Sequence, residues 1–256
     1  MKTFVEILKV TKDKKKFIVL TNIGEYKFDE ETIIRHMVLK GKTFTDSEFE
    51  EILKTEEESI LFNKTLNYIS YQMRSEKEII EYLKEKETSE IVINKIIEKI
   101  KSFGYINDLE LANNVLDSVI RNKKGPKVLE MKLKEKRIDE KIISEVLSEY
   151  TYDIEHDVLN TLIDSLKDKK TDKPVKKQRQ HLYEKLIRDG FSNELINGII
   201  NNVEFVDNSN ETLEKEIEKL EYKYREFSGY ERRTKIISNL LNKGYDYSNV
   251  NKKLKE

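Results

Sequence analysis

Four leucines set the frame. Leu83, Leu133, Leu186 and Leu240 follow one another at 50, 53 and 54 residues, and each sits in the same kind of local sequence. Five residues after the last three come Ile138, Phe191 and Tyr245, and Ile91, Ile142, Leu195 and Asn249–Val250 extend the pattern. Eight residues before the leucines lie Ser75, Gly125, Gln178 and Arg232, at the start of the same helix in every unit. A recurrence near 50 residues indicates tandem supersecondary units that bury their apolar faces on one another.

Apolar residues at i, i+3 and i+4 make every element after Thr45 a helix. The expected helices are 57–72, 76–87 and 90–103; 108–122, 126–136 and 140–150; 154–169, 174–189 and 193–204; 211–226, 230–243 and 247–255. The units are accordingly 57–107, 108–152, 153–207 and 208–256. Only 2 Pro and 8 Gly punctuate 256 residues, far fewer than a sheet-rich chain of this size would use. Charged residues reach 38%, so one face of most helices must meet water.

Residues 1–45 differ. The segments 3–10, 16–22 and 25–28 are rich in β-branched and aromatic residues and predict a hairpin or three-stranded sheet. A short helix follows near Asp29–Val38. Thr45 with Glu48, and Ser75 with Glu78, have capping-box spacing. Gly104 reads as a helix C-cap, Tyr105 and Ile106 as a packing pair, and Asn107 or Asp108 as the next N-cap. Gly125-Pro126 fits a helix start and a natural hinge.

Enzyme chemistry finds no foothold, so a non-enzyme is expected. No cysteine is present, the three histidines (His36, His156 and His181) fall in separate units, and no Gly-rich phosphate loop occurs. Neither cofactor nor metal is implied. The amino terminus has no secretory pattern and no apolar run approaches the roughly 20 residues that cross a bilayer, which points to a cytoplasmic protein. Of the 13 tyrosines, Tyr82 and Tyr105 fit apolar stripes better than base stacking.

Charge is distributed unevenly about a formal net of −1. Residues 121–137 hold eight basic and two acidic side chains, whereas 204–221 hold two basic and seven acidic. The helix starts carry Arg74; Arg121, Lys123, Lys124 and Lys127; Lys173, Lys176, Lys177 and Arg179; and Arg232, Arg233 and Lys235. If equivalent sites of stacked units share one side, these cations form a stripe that meets a polyanion or an acidic partner. An exposed pair of Arg74 with Glu76 or Glu78 accounts equally for that arginine.

With these landmarks the chain resembles the RecX family of recombination regulators. The resemblance is carried by Arg74-Ser75, Glu78-Ile79 and Leu83, then Gly104-Tyr105-Ile106-Asn107-Asp108 and Ala112, then Lys124-Gly125, Leu133 and Ile138, and it is best over about 60–150. The early strands are similar to the amino-terminal extension of longer members. The resemblance implies a mainly α fold, an elongated curved array of tandem three-helix repeats with a small β-containing extension. It also implies binding to the RecA–DNA filament and restraint of RecA ATP hydrolysis, strand exchange and co-protease activity. The expected partner is RecA, with DNA contacted directly or through the filament, and the expected state is a monomer. Asn107 stands where an acidic residue is common, Leu111 where an aromatic is common, and a fourth unit appears where three are usual. A direct DNA binder and a helical scaffold for an acidic protein are the alternatives.

Overall fold

A computed structural model describes residues 4–167, 173–205 and 209–255. The last residues of the expected helix 154–169, together with Thr3, lie outside that range. Two compact units emerge, Met1–Leu111 with Lys136–Ile138, and Ala112–Glu135 with Asp139–Glu256.

In the first unit, strands β1 (Phe4–Asp13), β2 (Lys16–Thr21) and β3 (Glu25–Phe28) precede helix α1 (Glu30–His36) and strand β4 (Thr43–Thr45). All pairings are antiparallel in the order β3-β2-β1-β4. The sheet therefore has four strands, one more than the sequence suggests. β4 was missed because three residues give no alternation to read, and because Thr45, which closes it opposite Phe4, is also the cap of the next helix. The register of β1 slips between Ile7 and Lys9, so Ile7 and Val10 both face the core although they lie three positions apart.

Helix α2 (Asp46–Tyr71) is continuous over 26 residues. Its first turn is fixed as expected: the Glu48 amide donates to Thr45 Oγ1 at 3.3 Å and the Thr45 amide to Glu48 Oε2 at 2.8 Å. The expected start at 57 is displaced because one helix serves two cores. Phe49 and Ile52 are buried with Val5, Ile7, Val19 and Phe28 of the sheet. Leu61, Phe62, Tyr68 and Ile69 pack on Ile79 and Leu83 of α3 (Glu76–Lys84) and on Ile93, Ile96, Ile97 and Ile100 of α4 (Glu90–Ser102).

A buried carboxylate joins sheet, α1 and α2. Glu56 is 5% exposed, and its Oε1 accepts from Lys16 Nζ at 2.7 Å. Its Oε2 accepts from the Asp29 amide at 2.7 Å and from Thr32 Oγ1 at 2.8 Å. Asp29 Oδ2 in turn accepts from Ser59 Oγ and Asn63 Nδ2, both at 3.0 Å. Such a network is tolerable inside a fold because each oxygen is used.

The second unit continues with α5 (Asp108–Arg121, begun in the first), α6 (Pro126–Glu135), α7 (Glu140–Glu149), α8 (Tyr152–Lys167), α9 (Val175–Arg188) and α10 (Asn193–Ile200). It ends with α11 (Ser209–Lys223), α12 (Gly229–Asn242) and α13 (Tyr247–Lys253). Leu159, Leu186, Phe191 and Ile196 centre one core, and Leu213, Leu220, Ile236, Leu240 and Val250 another.

All four marker leucines are fully buried. Ile91 departs from the pattern: it is 72% exposed, and Ile93, two residues on and so on the opposite face of the helix, is inside instead. Tyr105 also corrects the expectation of a packing pair. Ile106 is buried, but Tyr105 is 58% exposed and its ring lies tilted against that of Phe103, at 5.9 Å between centroids.

Candidate binding surface at the helix starts

The helix starts turn out to be junctions as well as surface. At α6, the Gly125 amide donates to the Asp189 carbonyl at 2.7 Å and the Lys127 amide to the Gly190 carbonyl at 3.1 Å. Unpaired amides of one helix start thus meet unpaired carbonyls of the α9 end, which satisfies both and aligns opposite ends of two dipoles. A Cβ on Gly125 would lie 2.3 Å from the Gly190 carbonyl oxygen. The close approach of two backbones therefore explains the glycine, and the hinge reading of Gly125-Pro126 falls.

A turn approaches a helix start in two further places. Gly244, in the turn after α12, has φ +94° and lies against the Lys177 side chain at the start of α9. In the first unit the residues after α6 meet α3: Lys136 lies 4.0 Å from Glu78, and Arg137 pairs with Glu81.

The start of α3 carries a further device. The Glu78 amide donates to Ser75 Oγ at 3.2 Å and the Ser75 amide to Glu78 Oε2 at 2.9 Å, as the spacing predicts. In addition the Glu76 amide donates to Asp108 Oδ1 at 2.9 Å, so a residue 32 positions away completes the cap. The expected local cap of α5 is Asn107, whose Oδ1 accepts from the Glu110 amide at 3.1 Å. Burial pushes the Asp108 carboxyl above the usual range, a shift opposed by the Glu76 amide.

The twelve cations divide by what they touch. Arg74 stacks over Tyr68 at 4.7 Å and pairs with Glu78 at 3.3 Å, which is the local ion pair. Lys124 Nζ lies 2.6 Å from Asp189 Oδ1, and Lys185 holds the other oxygen at 2.7 Å. Burial alone would raise the Asp189 carboxyl, but these two lysines hold it below the usual carboxylate range. Tyr150 donates to the Lys124 carbonyl at 2.8 Å, and burial pushes its phenol up.

Arg179 lies over Phe205 at 5.8 Å. Arg232 donates to the Glu221 carbonyl at 2.9 Å, and Arg233 to Asn251 Oδ1 at 2.8 Å and to the Leu254 carbonyl. The Nε atoms of Arg74, Arg179 and Arg232 are buried without a hydrogen-bond partner among the described residues. These arginines clamp helices within their own unit. Lys123, in left-handed backbone at φ 53°, reaches the Thr161 carbonyl at 3.5 Å, and Lys177 reaches Gln180 at 3.0 Å. Lys235 sits over Phe227 at 4.4 Å, 3.7 Å from Glu231, and Lys173 faces His181 at 3.3 Å. Arg121, Lys127 and Lys176 are exposed.

Among the described residues no group of acidic, histidine or cysteine side chains could hold a metal, and no helix is long and apolar enough to cross a membrane.

Successive three-helix cores, locked start to turn and studded with solvent-facing cations, define a tandem three-helix-domain protein. Residues 62–99 match the RecX first three-helix domain and residues 107–147 the RecX second three-helix domain. Regulatory protein RecX of Listeria welshimeri serovar 6b is 32% identical over 251 residues, 96% of this chain and 93% of the relative. That of Bacillus subtilis (strain 168) is 32% identical over 243 residues, 93% and 92% of the two chains. This chain belongs to the RecX family of regulatory proteins. A crystal structure of regulatory protein RecX superposes with a TM-score of 0.62 at 24% identity, over 77% of this chain and 99% of that one, a likeness of fold. RecX from Lactobacillus salivarius superposes with a TM-score of 0.52 at 29% identity, over 58% and 97%.

Proposed function

We propose that this protein binds the RecA–DNA filament in the cytoplasm and restrains RecA, lowering ATP hydrolysis, strand exchange and co-protease activity in the control of recombination and the SOS response. The observation that carries this reading is the similarity to named RecX regulators along nearly the whole chain. It acts as a monomer built of four repeats, 57–107, 108–152, 153–207 and 208–256. Several modest contacts on one chain add through effective concentration, so tandem domains suit a repeating partner. A ligand that favours one arrangement of filament subunits over another shifts their equilibrium and slows any step that must pass between the two.

The cations suited to outside contact are those that the fold does not turn inward, Arg121, Lys127 and Lys176, whereas Arg74, Lys124, Arg179, Arg232 and Arg233 serve the fold as well. The test is RecA-dependent ATP hydrolysis on single-stranded DNA. Purified protein lowers the rate, and the triple variant Arg121→Glu, Lys127→Glu, Lys176→Glu needs at least tenfold more protein for the same inhibition, with weaker salt dependence. Unaltered ATP hydrolysis with the folded wild-type protein rejects the RecA reading. Equal inhibition by the folded variant rejects the cation surface alone.

A further inference from the structure

A cleft in the second unit carries a net positive charge. It encloses about 530 Å³ between the start of α9, one face of α11 and the turn after α12. Lys173, Lys177, Lys215, Lys219 and Lys243 line it, with Glu216 as the one carboxylate among the described lining residues. Five ammonium groups against one carboxylate leave a formal +4. Glu216 is already engaged: Lys243 and then Lys219 hold its carboxyl below the usual range. Lys215 makes no ion pair among the described residues, and His181, Asn242 and Thr212 add polar groups to the wall.

A second cleft shows that this is not what surface helices give by default. It encloses about 560 Å³ in the first unit and sets Lys54, Lys64 and Lys86 against Glu57, Glu58 and Glu87, so its charge cancels. Like charges around one concavity repel by about 1 kcal/mol per close pair even in water. An arrangement that raises the energy of the empty protein lowers the energy of an anion brought into it.

The chemistry of the wall narrows the ligand. The cleft holds lysines and no arginine among its described lining residues, and lysine meets phosphate as a point charge, without the planar fork that arginine brings to carboxylate or phosphate. Pro174 and Tyr245 are its apolar residue types, and the other described lining residues carry a charge or a polar group. Its volume falls within the roughly 300–1,000 Å³ of small-ligand sites. We infer that this cleft between α9, α11 and α12 binds an anion carrying two or more adjacent phosphate groups. Such groups could come from a free polyphosphate or from a nucleic-acid backbone. This does not depend on the RecA reading, because it is tested on the protein alone.

The test is calorimetric titration of the full chain with inorganic tripolyphosphate at low salt, followed by competition with an oligodeoxythymidylate. Saturable one-to-one binding is expected, weakened at least tenfold by Lys215→Glu and severalfold by Lys215→Ala, and unchanged by Lys64→Glu in the neutral cleft. Displacement by the oligonucleotide supports the cleft with a backbone as its ligand. Retention of tripolyphosphate against it supports the cleft with a free polyphosphate. Absence of saturable binding, equal loss in Lys64→Glu, or equally tight binding of a hexaglutamate peptide overturns the assignment.

Discussion

Asp189 shows how a single residue can be missed by pattern and still hold a junction. In the sequence it is one acid between Arg188 and Gly190, four residues after Lys185. In the structure its carbonyl receives the Gly125 amide and its buried carboxylate takes Lys124 and Lys185. Because its folded pKa is lowered, the stabilisation is fully present above the ordinary aspartate range and is lost as pH falls through the folded value. Thermal unfolding followed from pH 7 downward should show the wild type losing an increment that Asp189→Asn never had. At neutral pH that variant should be less stable by about 1–2 kcal/mol, allowing for the part-exposed lysines. Equal melting temperatures across the range would refute the role. Asp108 was half legible: its place before a helix suggested a cap, but the capped helix is α3 rather than its own. No local rule reveals a cap across 32 residues.

At the scale of elements, the helices were read to within a few residues, because 3.6-residue periodicity and capping boxes are local properties. The two failures were the strand β4 and the separation of 57–72 from the helix that Thr45 opens. Both arise where one stretch serves two neighbours, and a single stripe analysis assigns it to one. The buried Glu56 was equally hidden, since "TEEES" reads as a solvated face. Glu56→Gln keeps the shape but removes the charge that answers Lys16 and the two donors on Oε2. It should lower stability by about 1–3 kcal/mol. Amide exchange in β1–β3 should accelerate while exchange in α9 and α10 stays constant. Uniform acceleration, or none, would show that the network does not anchor the sheet. Linear charge counting misled at α11. The acidic stretch 204–221 contains the two lysines, Lys215 and Lys219, that face the cleft, while Glu214 turns to Lys253 at 2.6 Å. A helix sorts neighbours in sequence onto opposite faces.

For the whole molecule, Arg74-Ser75, Glu78-Ile79 and Leu83, then Gly104 to Asp108 and Ala112, then Lys124-Gly125, Leu133 and Ile138, in that order, were enough to suggest the RecX family, and the relatives bear that out. The role of the basic helix starts was less legible, because composition cannot tell a cation that faces a partner from one that faces a neighbouring turn. Within the second unit the start-to-turn contacts make α6 lean on the end of α9, and α9 on the turn after α12. A chain ending at Phe205 therefore loses the Gly244 turn from Lys177 but keeps the core around Leu159, Leu186 and Phe191. It should remain helical and melt at a lower temperature, and it should lose tripolyphosphate binding with the cleft. Loss of all cooperative unfolding would mean that the last domain is needed for the others to fold at all.

The shared helix α2 has an implication for how such chains can change. Each added residue turns a helix by about 100°. An insertion between Leu53, the last residue that serves the sheet core, and Leu61, among the first that serve the three-helix core, would swing one layer around the axis of the other. The spacing of those two apolar stripes is thus a phase relation, and lineages that lengthen or shorten this segment are expected to do so in steps near seven residues, two whole turns, or not at all.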